Sequence, residues 1–395
     1  MNFPYNLPVL THRVEFVPAE DATLFASIPA VPAVFLLRGE DHTAEPYISK
    51  TASLRRRLQR LLNAPEERTK RLNLRYRTRT IEYTLTGSDF ESGFLLYQLL
   101  RATFPQIYAQ RLRFRFAPLV KLHLENAYPR ASITTRLGRR RGPSFYYGPF
   151  PTRVAAEKFL SDSLDFFQMR RCVEELNPDP NFPGCIYSEM KMCLAPCFKG
   201  CTDEEYRAEV ARVANYLDTG GASLVREIGT LRDAASANLE FENAAAIHVR
   251  LEKLKPVTSQ LPEIVRRLDR LAGVIVQTSP EPNCVALFRF DSGCLAGPVT
   301  FSIQPPDHTK SQSMESRIEA TLAALSPAKA GSAFETMEHL ALLKRWYYRS
   351  SRTGEIFLAD DKGVLPLRRL VRGIGRVYRG EKPEDTLPAS PPAVS

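Results

Sequence analysis

Five of the seven cysteines in this chain of 395 residues lie within one short stretch, which limits how the chain can fold. Cys172 is followed by Cys185, Cys193, Cys197 and Cys201, the last four within the segment CIYSEMKMCLAPCFKGC. Thiolates held close together repel one another unless a cation neutralises them. If these side chains converge, a metal centre follows, and the loops between them are tied to one point.

Two metal chemistries fit this spacing, and both are open at this point. Zinc accepts four thiolates in a tetrahedral arrangement, and the gaps of three residues in this stretch fall within its usual pair spacing. An iron-sulfur cluster also takes four thiolates. A third interpretation is buried thiols without a ligand role. The remaining cysteines, Cys284 and Cys294, lie in strand-like runs and are predicted to be core or edge residues.

The positive charge of the chain is concentrated in a few basic runs. The chain has 54 Lys and Arg against 44 Asp and Glu, and the excess falls mainly in RTKRLNLRYRTRT, RLRFRF, RLGRRRG and RRLVRGIGRVYRG. Each run alone fits a solvated face, but together they favour the phosphate backbone of a nucleic acid as a partner. We expect DNA contacts at Arg55 and Arg56 in SLRRRLQ and at Arg139, Arg140 and Arg141 in RLGRRRG.

The beginning of the sequence, MNFPYNLPVLTHRVEF, has no feature of a secretory leader, and no apolar run approaches the length of a membrane span. We therefore expect a cytoplasmic protein without a membrane partner. In a reducing compartment, clustered cysteines are more often metal ligands or redox groups than disulfides. A chain of this length also buries enough apolar surface to fold without disulfide bonds.

The pattern along the chain predicts an α+β protein of several domains. AVFLL and PYIS are predicted as a hairpin, SLRRRLQRLL as a helix, IEYTLTG as a strand and FESGFLLYQLLRATF as a second helix. A capping box at Thr202 and Glu205 is predicted to start a helical hairpin region, which Pro256 ends. The predicted units are an irregular extension (1–26), a small α/β domain (27–140), a cysteine-rich helical segment (141–201), the helical hairpin region (202–258), a small β-containing domain (265–350), and a basic segment with a disordered tail (351–395).

The motifs, in this order, resemble the amino-terminal half of the UvrC family, the incision subunit of the bacterial excinuclease. The resemblance covers most of residues 30–305, and the first domain resembles a GIY-YIG nuclease. YYGPF at 146–150 resembles the stretch that precedes the family's cysteines. The resemblance implies a [4Fe-4S] cluster, with zinc as the alternative. Its ligands would be Cys172, Cys185, Cys193 and Cys197.

The segment NLEFENAA at 238–245 resembles the UVR motif, a helical hairpin through which the family docks on the helicase subunit UvrB. The resemblance implies a docking surface for a UvrB-type partner. Its residues would be Leu239, Phe241, Glu242 and Ala245, on a stripe that continues to Leu251. Beyond the hairpin, residues 265–350 resemble only the lead-in to the family's carboxyl-terminal half.

The match to the nuclease site is incomplete. Tyr47 matches the second tyrosine of the family's motif and Arg57 matches its arginine, but Phe35 replaces the first tyrosine and has no hydroxyl. Leu96 stands where the resemblance places a metal-binding glutamate. Glu91 is five positions earlier, roughly 140° around a helix, and is predicted to face elsewhere. The nuclease site is therefore predicted to be inactive.

Three functions are compatible with these features. The first is a UvrC-like nucleotide-excision-repair protein that binds DNA and UvrB, uses its cluster as a structural brace and has lost incision activity. The second is an active endonuclease that cuts on the 3′ side of a lesion, with Glu125 as a substitute metal ligand and Mg²⁺ as a cofactor. The third is a zinc-braced nucleic-acid-binding scaffold outside excision repair.

Overall fold

The computed structural model of the chain describes residues 10–41, 43–64, 72–138, 144–304, 312–325 and 332–382. Its helices and strands confirm the predicted mixed α+β class. The described strands are β1 (His12–Glu15), β2 (Ala33–Arg38), β3 (Tyr47–Thr51), β4 (Thr80–Leu85), β5 (Leu119–Leu122), β6 (Ala131–Thr134), β7 (Phe145–Gly148), β8 (Arg266–Arg267), β9 (Gly273–Thr278), β10 (Cys284–Asp291), β11 (Cys294–Ser302) and β12 (Glu355–Leu358).

The helices surround and connect these strands. They are α1 (Asp21–Ser27), α2 (Leu54–Leu62), α3 (Asp89–Thr103), α4 (Tyr108–Leu112), α5 (Arg153–Leu164), α6 (Ile186–Glu189), α7 (Asp203–Asp218), α8 (Ala222–Ala237), α9 (Phe241–Ser259), α10 (Met314–Ala324), α11 (Ala333–Tyr347) and α12 (Leu367–Arg379). None of these described helices combines the length and the apolar character that crossing a membrane requires.

Within the described residues, the strands form three antiparallel four-stranded sheets. The N-terminal sheet has the order β1-β4-β2-β3, the middle sheet β6-β5-β7-β8 and the C-terminal sheet β11-β10-β9-β12. Each sheet therefore uses four strands that are consecutive in the chain.

The central strand of the N-terminal sheet, β2, is buried on both faces. Successive side chains of a strand point to opposite faces, so Phe35 and Leu37 pack with the leucines of α2 while Val34 and Leu36 pack beneath α3. This sandwich explains why AVFLL is a continuous apolar run rather than an alternating one.

Two predicted boundaries of the first domain are wrong. Residues 12–27 are not an irregular extension, because β1 pairs with β4 from His12 to Glu15 and α1 follows it. Strands β5 and β6, predicted to belong to the first domain, instead pair with each other in the middle sheet, where β5 also pairs with β7. Both errors have one cause: these strands find partners across the chain, which a local pattern does not show.

The helical region starts where the sequence predicts and ends later. Thr202 Oγ1 accepts a hydrogen bond from the Glu205 amide, and the Glu205 carboxylate accepts one from the Thr202 amide, so the capping box is confirmed. Gly221, with φ of 94°, starts α8 close to Thr258. Pro256 does not end the last helix, because α9 continues to Ser259.

The predicted basic segment near the carboxyl end forms a helix that is packed against the protein on one face rather than solvated all round. Leu370, Ile374 and Val377 of α12 are buried against the C-terminal sheet, which β12 completes. Gly373 permits this contact, since a Cβ there would lie 2.0 Å from the ring of Phe357. Residues 383–395 of the predicted tail lie outside the described residues.

Two helices from distant parts of the sequence, α3 and α11, are joined by buried polar side chains. The Tyr97 hydroxyl donates to Glu338 at 2.9 Å, and Arg101 donates to Glu335 at 2.6 Å and to the Tyr97 oxygen at 2.8 Å. Burial raises the pKa of Glu338 and lowers that of the neighbouring His339 to about 4. We call Tyr97, Arg101, Glu335 and Glu338 the α3–α11 cluster.

Aromatic packing extends this contact. The ring of Phe90, on α3, lies 4.9 Å from that of Phe288 on β10 and 5.3 Å from that of Trp346 on α11. Phe94 meets both Phe288 and His339 edge-on. Helix α3 and the C-terminal sheet therefore share one core, against which Ile48 of β3 also packs.

Replacing Tyr97 with Phe should destabilise the α3–α11 contact by about 1–3 kcal/mol, because the buried Glu338 carboxyl loses a hydrogen-bond donor. Urea unfolding followed by the fluorescence of Trp346, the only tryptophan of the chain, measures this contact directly. Tyr76→Phe is the matched control, since Tyr76 is 71% exposed. Equal unfolding midpoints for the two variants would contradict a stabilising role for the cluster.

Candidate functional site

The structure brings together the two side chains that match the nuclease motif. Tyr47 begins β3, Arg57 lies in α2, and Arg57 Nη2 donates to the Tyr47 hydroxyl at 2.8 Å. Phe35 packs beside them, with its ring 6.1 Å from that of Tyr47, and is fully buried. One phenol and one guanidinium, hydrogen-bonded to each other, thus occupy this side of the N-terminal sheet.

Leu96 lies on the opposite side of that sheet. Leu96 is part of α3 and packs with Val34 and Leu36 of β2. Phe35 and Tyr47 face α2 on the other side of the sheet. The strand alternation that separates these two groups also separates Leu96 from Arg57. The resemblance implies that the four motif positions share one pocket, but the structure places Leu96 apart from the other three.

Glu91 is a helix cap, and its orientation agrees with the prediction that it faces away from position 96. Its carboxylate accepts a hydrogen bond from the Gly87 amide at 2.7 Å, while its own amide donates to Ser88 Oγ at 3.1 Å. Burial raises the pKa of Glu91 to about 7, against the lowering effect of the Gly87 hydrogen bond. Glu91 thus holds the start of α3.

Glu125, the substitute metal ligand of the second hypothesis, is engaged elsewhere. It follows β5 in the middle sheet, where Lys121 donates to it at 2.7 Å and His123 Nδ1 lies 3.2 Å from the same oxygen. Ser144 donates to its other oxygen. Although burial raises the pKa of Glu125, the bonds from Lys121 and Ser144 outweigh this effect and lower it to about 2.

Of the five arginines predicted to contact DNA, the structure describes Arg55 and Arg56. Arg55 serves the fold, since its guanidinium donates to the carbonyls of Ile28 at 2.7 Å and Ala26 at 3.2 Å at the end of α1. Arg56 is exposed on α2 and has a free path to a ligand. Residues 139–141, which include Arg139, Arg140 and Arg141, lie outside the described residues.

The cysteines predicted as ligands share one neighbourhood. Burial raises the pKa of Cys193 to about 11, and the nearby thiols of Cys172, Cys197 and Cys185 act in the same direction. The hydrogen bond from the Ala195 amide acts in the opposite direction and lowers this pKa. Each of the seven cysteines is a free thiol. Across the ranges that the structure covers, however, no three or more His, Cys, Asp or Glu side chains are arranged to hold a metal ion. The thiols are neighbours, but they do not converge on one point.

Hydrogen-bond donors already point at two of these sulfurs. Arg170 Nη1 donates to Cys172 Sγ at 3.3 Å, and the Ala195 amide donates to Cys193 Sγ at 3.3 Å. Such bonds favour the thiolate form and tune metal-thiolate centres. In their chemistry, therefore, these residues fit a thiolate-bound metal, although the sulfur positions do not form a ligand set.

The turn between α8 and α9 exposes apolar side chains. Leu239, in the left-handed conformation with φ of 63°, is 72% exposed, and Phe241 at the start of α9 is 66% exposed. Glu242 and Ala245 are exposed on the same helix. Leu251 is buried, so the predicted stripe turns into the protein before that residue. We call Leu239, Phe241, Glu242 and Ala245 the hairpin tip.

Residues 117–216 match the UvrC/Cho excinuclease middle domain. The resemblance to UvrC is confirmed. This segment includes β5 to β7, the five clustered cysteines and most of α7. The UvrABC system protein C of Alcanivorax borkumensis is 29% identical over 53% of this chain and 34% of its own length. The UvrABC system protein C of Stenotrophomonas maltophilia is 28% identical over 70% of this chain and 44% of its own length. That of Desulforudis audaxviator is 29% identical over 62% of this chain and 38% of its own length.

The chain spans well under half of the length of these UvrC relatives, between 34% and 44% of it. No solved structure matches the chain. The nuclease positions Tyr47, Arg57 and Leu96, and the hairpin tip, lie outside the matched UvrC middle domain.

Two groups of side chains near these sites escaped the sequence analysis. The first is Arg170, which is 3% exposed and also donates to the carbonyls of Tyr128 and Glu174, so it ties the cysteine stretch to the middle sheet. An arginine two positions before the first cysteine was the available signal. The second is Arg345 on α11, which lies near Arg113 and Arg115 of the basic run RLRFRF. Their proximity depends on how α11 packs, which no local pattern reveals.

Proposed function

We propose that this chain is a UvrC-like nucleotide-excision-repair protein that binds DNA and a UvrB-type helicase subunit but does not cut DNA. One observation carries the loss of cutting: Leu96 and the Tyr47–Arg57 pair lie on opposite faces of the N-terminal sheet. Hydrolysis of a phosphodiester needs an activated oxygen nucleophile and a metal held by a carboxylate at the same phosphate. An aliphatic side chain on the far side of a sheet supplies neither.

DNA binding is supported by charge and by the relatives. The chain carries a net charge of +10, and the proteins that it resembles are named as components of the UvrABC system. Arginine and lysine bind phosphates by releasing condensed counterions, so affinity that rests on them falls steeply with salt. Arg57 and Arg56 remain as cations on α2 that a phosphate could reach in the absence of a metal.

The cysteine stretch is proposed to bind a [4Fe-4S] cluster through Cys172, Cys185, Cys193 and Cys197. The support is the shared neighbourhood of the four thiols and the donors aimed at Cys172 and Cys193. When bound, such a group would supply structural bracing, because metal binding by otherwise loose loops adds directly to the free energy of folding. Zinc is the alternative occupant of the same thiols.

The hairpin tip is proposed as the docking surface for UvrB. Leu239 and Phe241 are large apolar side chains that face solvent, and the tight turn between α8 and α9 presents them at one end of the hairpin. Exposed apolar side chains grouped in this way are typical of protein interfaces. Their exposure indicates that they contribute little to packing within their own hairpin.

The purified chain should bind damaged or branched DNA and should not nick it, even with excess Mg²⁺ or Mn²⁺. A gel-shift assay and a plasmid-nicking assay on the same preparation measure both properties. Glu125→Gln is the informative variant, because the second hypothesis makes Glu125 the metal ligand. Metal-dependent nicking by the wild type that disappears in Glu125→Gln, Tyr47→Phe or Arg57→Gln would establish an active endonuclease instead.

Anaerobic purification should yield protein that contains iron and absorbs visible light. Cys193→Ser should remove that iron, because it replaces a thiolate that accepts an amide hydrogen bond and has three thiol neighbours. Cys284→Ser, at the start of β10, is the matched control and should retain it. Colourless protein with zinc and no iron would support the scaffold hypothesis, and metal-free folded protein would argue against any metal centre.

Phe241→Ala should weaken binding to a UvrB-type subunit by about 30-fold, corresponding to the loss of one interface hot spot of about 2 kcal/mol. Affinity is measured by surface plasmon resonance, with DNA binding and the melting temperature recorded beside it. Val154→Ala, which removes an equally exposed apolar side chain from α5, is the control. If Phe241→Ala lowers DNA affinity and stability as well, Phe241 is a core residue rather than a partner contact.

A further inference from the structure

A groove with a volume of about 1050 Å³ opens where the N-terminal domain meets α11. One wall is formed by Lys50 and by the start of α3, including Leu96. Another comes from the chain after α4, around Arg113 to Arg115, and the third from the end of α11 and the loop that follows it, residues 344–354. Val377 and residues 380–382, at the end of α12, also line the groove, so at least four segments that are far apart in the sequence surround one space.

The groove is strongly basic. Eight Lys and Arg side chains line it, against the two carboxylates of Asp89 and Glu381. Asp89 is already shared between two cations, since Lys50 donates to it at 2.6 Å and Arg349 at 2.7 Å. Glu381 pairs with an arginine outside the groove. Most of the positive charge in the groove thus has no counterion in the described part of the protein.

Arg113, Arg115 and Arg345 illustrate this excess. All three are exposed at the groove, and no carboxylate of the described residues forms an ion pair with them. Close to them, Lys344 donates to the Phe116 carbonyl at 3.3 Å, and burial together with the charge of Arg115 lowers its pKa. Cations held this close without carboxylates repel one another, so an anionic ligand would stabilise the arrangement.

Aromatic side chains fix one of these cations without neutralising it. The Arg352 guanidinium lies 5.3 Å from the centre of the Trp346 ring and 4.8 Å from that of Tyr347. Cation–π contact orients a guanidinium but leaves its hydrogen-bond donors available for a phosphate. By contrast, Arg376 on α12 is paired with the carboxylate of Glu355 at 2.8 Å.

The size of the groove suits a short length of a DNA strand. Its volume of about 1050 Å³ equals that of a cube about 10 Å on a side. At ~3.4 Å for each nucleotide of a strand, it corresponds to about three nucleotides. Positively charged grooves that follow the backbone are typical of single-strand sites.

We propose that this groove binds the phosphate backbone of a single DNA strand. The inference rests on the proposed function, in that it assumes DNA as the partner, and it adds where one strand is held. The surface lies apart from the Tyr47–Arg57 pair, on the other side of the N-terminal sheet, and its α11 wall lies outside the matched UvrC middle domain.

The test compares two triple variants of the full chain that remove the same charge. The groove variant is Arg113→Gln, Arg115→Gln, Arg345→Gln, and the control is Arg13→Gln, Arg226→Gln, Lys253→Gln, three exposed cations outside the groove and outside the basic runs. Binding to a labelled single strand of about 16 nucleotides and to the matching duplex is measured by fluorescence anisotropy between about 50 and 200 mM salt.

We expect the groove variant to bind the single strand at least about tenfold more weakly than the wild type. Its slope of log affinity against log salt should be shallower by about 2, since each phosphate contact on a single strand contributes about 0.7. The control should keep the wild-type slope. A melting temperature equal to that of the wild type shows that the groove variant is folded. If it is lower, the double variant Arg115→Gln, Arg345→Gln replaces it, because this variant leaves Arg113, which has a left-handed backbone, unchanged.

Three outcomes would overturn the inference. Equal losses in the two variants would show that binding follows overall charge rather than the groove. Unchanged affinity in the groove variant, while the wild type binds DNA, would reject the groove and leave the proposed function standing. Preferential loss of duplex binding would reject the single strand. Failure of the wild type to bind any DNA would instead reject the proposed function itself.

Discussion

The buried contact between α3 and α11 determines how the rest of the molecule is arranged. Glu338 is a carboxyl group without access to water, and it is tolerable because the Tyr97 hydroxyl donates to it while Arg101 and Glu335 pair beside it. A buried network of this kind has few alternative geometries. It therefore fixes α11 against the N-terminal domain, and with it the position of the loop and the cations that follow α11.

Arginine is used in two opposite ways in this protein. Inside, it is neutralised: Arg75 pairs with Asp21 at 2.5 Å, and Arg170 gives its donors to carbonyls and a sulfur. Around the groove, Arg115 and Arg345 have no carboxylate partner among the described residues. Because net charge alone does not separate these uses, the composition predicts a nucleic-acid partner but does not locate the surface that would bind it.

Local features were predictable and long-range ones were not. The sequence predicts the capping box at Thr202 and the strand β2 because each depends on neighbours within a few residues. The pairing of β1 with β4 and the burial of α12 depend on contacts across long stretches of chain. For the candidate site, helical spacing correctly turned Glu91 away from position 96, but it carried no information about which face of the sheet α3 covers.

The placement of α3 has a consequence for the evolution of this lineage. In an enzyme silenced by one altered ligand, a single codon change can revive the chemistry. On the proposed function, a strand layer stands between position 96 and the phenol of Tyr47, so a change of Leu96 to Glu alone would place its carboxylate on the far face of the sheet. Cleavage at that phenol would then require a helix to cross to the other side of its sheet.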